Sequence, residues 1–512
     1  MKRPALRFLA PAALLAAAGA LPAAHAQVAP AKPVPAARRG APARDAFLSN
    51  FARSFYPGRS GQIMIVPREG HFITRDEPGN AFMHGSPWGY DTHVPLILYG
   101  PGHIRRGGFT VPARHQDIAP TIAAMLGLPA PATMTGHALS MALRPAAPPP
   151  RIVLLVVLDA FRADYLERHA AALPTLTRLK REGASFPRAQ VDYLPSATGV
   201  AHSTISTGTD PSIHGIPVNT VFDAATGKVS DPYDDRSPRN LMAPALADLW
   251  AEATDGRAII AAQGGLFYAA GALAGHGACQ IDGRAVFAAS YERTSGQWAT
   301  NPECYRLHPS LADRTPRSIW ETAQGVWRGH DITGPDLVRR SALFAAYEAD
   351  SLLGIVDGEP VGADDVTDLL LMNMKTADFV GHQYGPESPE IAETVGAIDT
   401  ALGRLVEAVE KKAGPGQSVV VVTADHGMPG IAGDPSRRHL ASEITSDLNA
   451  RLDPEGKRVI RHYEASNSQM FVDRGRLREL GLTLADVSRH LESLPFVFAA
   501  YTEDEVRRAV RR

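Results

Sequence analysis

The sequence predicts a doubly wound α/β fold, in which helices cover both faces of a mostly parallel sheet. Three continuous apolar runs, each followed by polar residues, lie at 152–158, 369–372 and 418–422. Such runs are typical of parallel strands that are covered on both faces. Helix-like segments at 164–182 and 389–411 alternate with these runs. This alternation indicates a sheet whose functional residues gather at the carboxyl ends of its strands.

A smaller block precedes this main part and contains two further predicted strands, at 62–66 and 94–98. The block spans 46–143. A proline-rich linker at 144–150, which can continue neither a helix nor a central strand, separates it from 151–512.

The beginning of the chain carries an export pattern. Lys2 and Arg3 precede an apolar run at 9–21, and an A-x-A cleavage motif ends at Ala26. This pattern predicts a signal peptide over 1–26 and a periplasmic or secreted protein. A membrane anchor is the weaker alternative because the apolar run is too short to span a bilayer. No other stretch is long enough, so we expect no transmembrane anchor after cleavage.

The composition describes an ordinary soluble globular protein. The chain has 512 residues, of which 45% are hydrophobic and 21% charged, and its formal net charge is −2. This charge indicates no nucleic-acid-binding surface, which would need a basic excess. Residues 27–45, rich in Ala, Pro and Arg, are predicted to form a disordered leader. The sequence does not indicate an oligomeric state.

Only two cysteines are present, Cys279 and Cys304. They could form one disulfide in an oxidising compartment, but the sequence leaves their pairing open. Two thiols are too few for a thiolate metal site, so any metal here must bind oxygen and nitrogen ligands.

Polar clusters follow four of the predicted elements. Taken singly, each residue has an ordinary explanation as a helix cap, a turn residue or a packing residue. Together they bring three carboxylates, two imidazoles and a hydroxyl to successive strand ends, and this ligand mixture suits zinc. The residues are Asp159, Thr198, the pair Asp378 and His382, and the pair Asp425 and His426.

The motifs around these residues resemble the signatures of the alkaline phosphatase superfamily. The branch they resemble contains bacterial phosphatases and type I phosphodiesterases/nucleotide pyrophosphatases with a threonine nucleophile. The resemblance implies hydrolysis of phosphate esters with two divalent metal ions, expected to be Zn²⁺. It implies one ion bound by Asp159, Thr198, Asp425 and His426, and another bound by Asp378, His382 and one further histidine. The motifs are Val157-Leu-Asp159, Pro195-Ser-Ala-Thr198, Asp378-Phe-Val-Gly-His382 and Ala424-Asp425-His426-Gly427.

The further histidine is expected in a His-Gly-Ser segment late in the family's chain. In this chain the His-Gly-Ser segment lies near the start, at His84. The last residues of this chain instead resemble the stretch that, in the family, comes before the C-terminal part with that segment. We therefore predict a circular permutation in which 46–143 is the family's C-terminal part, moved to the front. A smaller α+β cap is predicted near 430–505. His84 is the predicted ligand, ahead of His93, and then of His103 and His115.

The resemblance also implies contacts to the substrate. Thr198 would attack phosphorus and form a phospho-threonine, while the Gly199 N–H and Asn219 would bind phosphoryl oxygens. The family's monoesterases carry a Lys-x-Arg pair where this chain has Leu266 and Tyr268. Losing two cations weakens binding of a dianion, so the sequence favours phosphodiesters.

Several alternatives stay open. The protein could be a phosphomonoesterase, a phosphotransferase, or a metal- or ligand-binding relative without turnover. Lys375 could supply a cation from another direction, although a solvated loop lysine is the simpler interpretation. A sulfatase is disfavoured because no Cys/Ser-x-Pro-x-Arg motif surrounds Thr198.

Overall fold

The main sheet of this computed structural model is mixed, with nine strands among the described residues. The structure describes residues 42–510 except 78, 224, 280–285, 431–433 and 465–467. The predicted signal peptide and the leader up to residue 41 lie outside the described residues. From one edge to the other, the strands are Trp298–Ala299, Val286–Tyr291, Ile260–Gly264, Asp368–Met374, Ile152–Leu158, Ser418–Thr423, Leu96–Tyr99, Ala184–Ser185 and Gly107–Gly108.

The five central strands run parallel, from Val286–Tyr291 to Ser418–Thr423. The prediction of an α/β sheet flanked by helices is therefore confirmed, and Ile152–Leu158 has the predicted bounds. The sheet is less uniformly parallel than expected, because Leu96–Tyr99 pairs antiparallel with Ser418–Thr423. At the other edge, Trp298–Ala299 also pairs antiparallel with its neighbour.

Helices pack against the main sheet and against a second, four-stranded sheet. The described helices of eight or more residues are Ile118–Leu126, Pro174–Glu182, Thr198–Thr207, Leu246–Ala253, Phe267–Ala274, Phe344–Gly358, Thr376–Tyr384, Pro389–Ala413, Ala441–Leu452, Leu484–Glu492 and Glu503–Val510. The shorter ones are Leu48–Ser54, Gly89–Thr92, Tyr165–Arg168, Pro211–His214, Pro309–Ala312, Arg317–Thr322, Pro335–Val338 and Arg474–Glu479. The helix predicted at 389–411 is thus confirmed.

The segment 164–182 is not the single helix that we predicted. It forms Tyr165–Arg168, a 3-10 turn and then Pro174–Glu182. Pro174 has no N–H to continue a helix through this point, and it also disfavours a helical conformation at Leu173.

A second, antiparallel sheet is built by both ends of the chain. Helices Ala441–Leu452 and Leu484–Glu492 pack on it around an apolar cluster of its own. Helix Leu48–Ser54 packs against the last helix, Glu503–Val510. In order across this sheet, the strands are Ile460–Glu464, Gln469–Val472, Ile63–Pro67 and Val497–Thr502. The further two-stranded pairs are Val221–Phe222 with Val229–Ser230, Val326–Trp327 with His330–Asp331, Phe72–Thr74 with Arg438–Leu440, and Ala113–Arg114 with Ala189–Gln190.

Three smaller points bear on the sequence predictions. Cys279 and Cys304 form a disulfide, which settles the pairing that the sequence left open. Residues 144–150, all described, contain neither helix nor strand. Within the described part of the chain, we find no helix whose length and apolarity would let it cross a membrane.

Candidate active site and metal centre

The candidate site lies at the carboxyl ends of three adjacent parallel strands. Asp159 follows Ile152–Leu158 directly, and Lys375 follows the neighbouring strand on one side. Asp425 comes two residues after the strand on the other side. All three side chains are buried. They converge because parallel strands end at the same edge of a sheet.

Thr198 is the first residue of helix Thr198–Thr207 and is 1% exposed. Its Oγ1 lies 3.3 Å from His426 Nε2 and 3.3 Å from Lys375 Nζ. The next residue, Gly199, donates its N–H to Asn219 Oδ1 at 2.7 Å. The two predicted substrate contacts therefore bind each other beside the hydroxyl.

His84, Asp378 and His382 form one group of potential metal ligands. Asp378 Oδ1 lies 3.2 Å from His382 Nε2 and 3.7 Å from His84 Nε2. The other nitrogen of each ring, Nδ1, contacts a main-chain carbonyl, that of Phe82 for His382 and that of Ser196 for His84. Such contacts fix the orientation of each ring, so that its Nε2 faces Asp378.

Asp159, Asp425 and His426 lie beside this group, where the two sets of potential metal ligands are Asp159 with Asp378 and His426, and Asp159 with His202 and Asp425. His426 Nε2 lies 3.7 Å from Asp159 Oδ1 and 3.4 Å from Asp425 Oδ2, while its Nδ1 contacts the Gly427 carbonyl at 2.9 Å. Asp425 Oδ1 accepts the N–H groups of Ala160 and His426. This carboxylate is therefore held by its Oδ1, and its Oδ2 faces the imidazole.

Each carboxylate of the site has one buried oxygen that accepts no well-aligned hydrogen bond from the described residues, although the Lys375 ammonium lies 2.9 Å from that of Asp159. These atoms are Asp159 Oδ1, Asp378 Oδ1 and Asp425 Oδ2. Buried carboxylate oxygens are costly unless a donor or a cation compensates them. Together with the Nε2 atoms of three histidines, they are a donor set that fits divalent metal ions.

The pKa values suit metal binding by the histidines. Burial lowers the pKa of His426 to about 4 and that of His84 well below its usual range. Both rings are therefore neutral near pH 7. Burial raises the pKa values of Asp159 and Asp425. Burial would also raise the pKa of Asp378, but His382 and Lys375 hold it well below its usual range.

Lys375 is not the solvated loop lysine that we favoured, since it is 2% exposed. Its Nζ lies 2.9 Å from Asp159 Oδ1 and 2.7 Å from Asp378 Oδ2. Burial lowers the pKa of this amine, but the two carboxylates outweigh burial and raise it above its usual value. The site therefore contains a permanent ammonium that bridges both groups of potential ligands.

The other candidate histidines lie in different environments. His93 Nε2 lies 2.9 Å from the Pro187 carbonyl oxygen. His115 uses both ring nitrogens, towards a tyrosine hydroxyl at 2.6 Å and a carbonyl oxygen at 2.9 Å. His103 belongs to no group of potential metal ligands in the described part of the chain. Of the four, only His84 stands beside the predicted ligands.

Sequence reasoning missed two supporting residues, Asn373 and Glu348. Asn373 Nδ2 contacts Asp159 Oδ2 at 2.8 Å and His202 Nε2 at 3.0 Å, and thus orients the carboxylate. Glu348 accepts the N–H and hydroxyl of Thr376, where the helix of Asp378 begins. Burial raises the pKa of Glu348 to about 7. The one available signal was the position of Asn373, a polar residue near the end of an apolar run.

The structure is similar to known phosphatase structures. The crystal structure of wild-type alkaline phosphatase PafA aligns with a TM-score of 0.58 and 24% identity, over 68% of this chain and 78% of that one. The class is thus an α/β protein with an alkaline phosphatase-like fold and a candidate metal centre at its strand ends.

The family follows from the sequence comparison. Residues 153–506 match the model of the type I phosphodiesterase / nucleotide pyrophosphatase family, and the chain belongs to that family. Alkaline phosphatase PafA of Elizabethkingia meningoseptica is 26% identical over 418 residues, which are 70% of this chain and 77% of the relative. Alkaline phosphatase PhoV of Synechococcus elongatus is 24% identical over 392 residues, covering 66% and 71%.

Proposed function

We propose that the protein is a metal-dependent phosphoric ester hydrolase with Thr198 as its nucleophile. The observation that supports this most is the buried Thr198 hydroxyl at a helix start, which lies 3.3 Å from both His426 Nε2 and Lys375 Nζ. The relatives, which are named alkaline phosphatases and phosphodiesterases, support the same reaction class.

Two divalent ions, expected to be Zn²⁺, would be held by the two ligand groups. His84, Asp378 and His382 would bind one ion, and the group of Asp159, Asp425 and His426 would bind the other together with Thr198. When bound, such ions lower the pKa of a coordinated hydroxyl and stabilise negative charge on the attacking and leaving oxygens.

The protein's own groups would carry the reaction in two displacements. Thr198 Oγ1 forms a bond to phosphorus as the bond to the leaving alcohol breaks, and the alcohol departs with the hydroxyl proton. Water then attacks the phospho-threonine, the bond from phosphorus to Thr198 Oγ1 breaks, and the free hydroxyl returns. The Lys375 ammonium stabilises the negative Oγ1 in both displacements, and the Asn219 amide would hold a phosphoryl oxygen.

We propose phosphodiesters as the preferred substrates. Leu266 and Tyr268 line the same cleft as Thr198, where the monoesterases of the family have two cations. A phosphomonoester remains the second candidate, because buried Lys375 supplies one cation to the site.

The test is hydrolysis of bis-p-nitrophenyl phosphate and p-nitrophenyl phosphate by the zinc-loaded protein. We expect faster diester turnover, its loss in Thr198→Ala, and a phosphorylated Thr198 in acid-quenched samples by mass spectrometry. The matched control is Thr400→Ala, on the exposed face of helix Pro389–Ala413. Faster monoester turnover would refute the diester preference. Full activity of Thr198→Ala would refute the nucleophile.

We also propose a permuted chain order and export. The family match starts at residue 153, yet His84 stands beside Asp378 and strand Ile63–Pro67 pairs with Val497–Thr502. These facts support a C-terminal part that has moved to the front. Export is proposed from the N-terminal sequence pattern; cell fractionation would test it.

A further inference from the structure

One wall of the cleft carries three arginines that the proposed hydrolysis does not use. Arg293, Arg339 and Arg340 line the same cleft as Thr198. The cleft has a volume of about 1560 Å³, whereas pockets for drug-sized ligands measure about 300–1,000 Å³. The cleft therefore has room for a substrate larger than the group that is hydrolysed.

The arginine wall lies close to the reacting groups. The Arg339 guanidinium carbon is 4.2 Å from the centre of the Phe379 ring, and Lys375 Nζ is 5.7 Å from the same centre. The two cations are thus within about 10 Å of each other. Arg340 Nη1 donates to Gln383 Oε1 at 3.0 Å, next to the candidate ligand His382.

The wall has more positive than negative charge. Asp336 pairs with Arg339 at 2.6 Å and with Arg340 at 2.5 Å, so one carboxylate serves two guanidinium groups. Arg339 is 8% exposed and Arg340 is half-buried, whereas Arg293 is exposed, so the desolvated charge belongs to Arg339 and Arg340. Burial lowers the pKa of Arg339, and although Asp336 opposes this, the nearby Arg340 and Arg293 lower it further. Desolvated positive charge in excess is costly unless an anion binds there.

Arg75, which also lines the cleft, forms an ion pair with Glu464, so its charge is balanced one to one. The arginine wall lacks this balance.

We propose that Arg293, Arg339 and Arg340 form a second anion subsite, which binds a phosphate or carboxylate group of the substrate remote from the ester that is hydrolysed. The proposal rests on the proposed function and narrows its substrate to phosphodiesters with a second anionic group. Guanidinium groups suit this role because their planar N–H pairs match phosphate and carboxylate oxygens.

The test compares two chromogenic diesters that differ by one distal phosphate. They are the p-nitrophenyl ester of thymidine 5′-phosphate and the same ester with a 3′-phosphate. We expect the wild type to prefer the 3′-phosphorylated ester in kcat/KM. Arg340→Gln should lower this preference about tenfold, the effect of one charge-assisted contact. Arg340→Lys should restore only part of it, and the control Arg317→Gln, on an exposed helix elsewhere, should leave it unchanged.

Binding separates this proposal from the proposed function. Calorimetry on zinc-loaded Thr198→Ala would compare thymidine 3′,5′-bisphosphate with thymidine 5′-phosphate, with and without Arg340→Gln. Tighter binding of the bisphosphate that depends on Arg340 would support the subsite even if neither ester is hydrolysed. The proposal would be overturned if Arg293→Gln and Arg340→Gln both kept the wild-type preference for the ligand with the additional phosphate, in kinetics and in calorimetry.

Discussion

Replacing Lys375 by methionine should destabilise the metal-free protein far more than the zinc-loaded protein. The ammonium lies 2.9 Å from Asp159 and 2.7 Å from Asp378, in a site that also contains buried Asp425. Removing one partner of a buried ion pair costs about 3–5 kcal/mol, because the remaining charge is left uncompensated. Bound zinc would compensate the same carboxylates, so we expect a loss of no more than about 1–2 kcal/mol when zinc is present.

The substitution destabilises the metal-free protein more than the zinc-loaded protein, and the difference between these two free energies must equal the change in the free energy of zinc binding. A thermodynamic cycle connects folding and binding, so the Lys375→Met protein should bind zinc more tightly by about 3 kcal/mol, or roughly a hundredfold in Kd. Binding would be measured by competition with a chromogenic chelator. Unfolding would be followed in guanidinium chloride by tryptophan fluorescence, after dialysis against EDTA and again with zinc.

The control is Lys180→Met, because Lys180 is an exposed lysine on helix Pro174–Glu182. It should change neither stability nor zinc affinity appreciably. Equal destabilisation of Lys375→Met with and without zinc, or weaker zinc binding, would show that Lys375 does not neutralise the metal-binding carboxylates.

Three further predictions concern the ligand set, the phosphate contacts and the pH dependence of stability. His84→Ala should lose one zinc ion per chain in metal analysis, whereas His93→Ala should keep its full content; the reverse result would favour His93 as the ligand. Gly199→Ala should lower kcat/KM about tenfold, because a methyl group there would lie 3.0 Å from the oxygen that accepts the Gly199 N–H; unchanged kinetics would contradict this. His276 contacts Asp248 at 2.8 Å through one ring nitrogen and a carbonyl oxygen at 2.9 Å through the other. Although burial lowers the pKa of His276, Asp248 outweighs it and raises the pKa above the value of about 6.5 in the unfolded chain. The stabilisation is therefore complete below about pH 6.5 and is lost as pH rises through the folded-state pKa. Urea unfolding of the wild type and His276→Gln should differ more at about pH 5.5 than at about pH 9, and a difference that grows with pH would contradict the assignment.

The positions of the strand ends were predictable because a continuous apolar run can be recognised from neighbouring residues alone. Ile152–Leu158 is buried along its whole length, and the polar residue after it must lie at the sheet edge. The ligand motifs at the other strand ends follow the same rule. The approach of His84 to Asp378 followed from the resemblance of short motifs, not from any local pattern.

The burial of Lys375 could not be predicted in the same way. A lysine just after a strand is usually solvated, and only carboxylates from separate segments make its burial tolerable. The arginine wall depends likewise on contacts between separate segments, of which Arg339 with Phe379 is one. Periodicity carries no such information, because these contacts exist only after the chain has folded.

The second sheet places strand Ile63–Pro67 between two strands that come much later in the sequence. Ile63–Pro67 pairs with Val497–Thr502, and Arg44 contacts Glu505 across 461 positions of sequence. The strands at 469–472 and 497–502 must therefore be synthesised before this sheet can close. Such distant pairing slows folding and leaves strand edges open to other chains meanwhile. The yield of refolding should consequently fall as protein concentration rises, and a chaperone that binds unfolded chains should improve it.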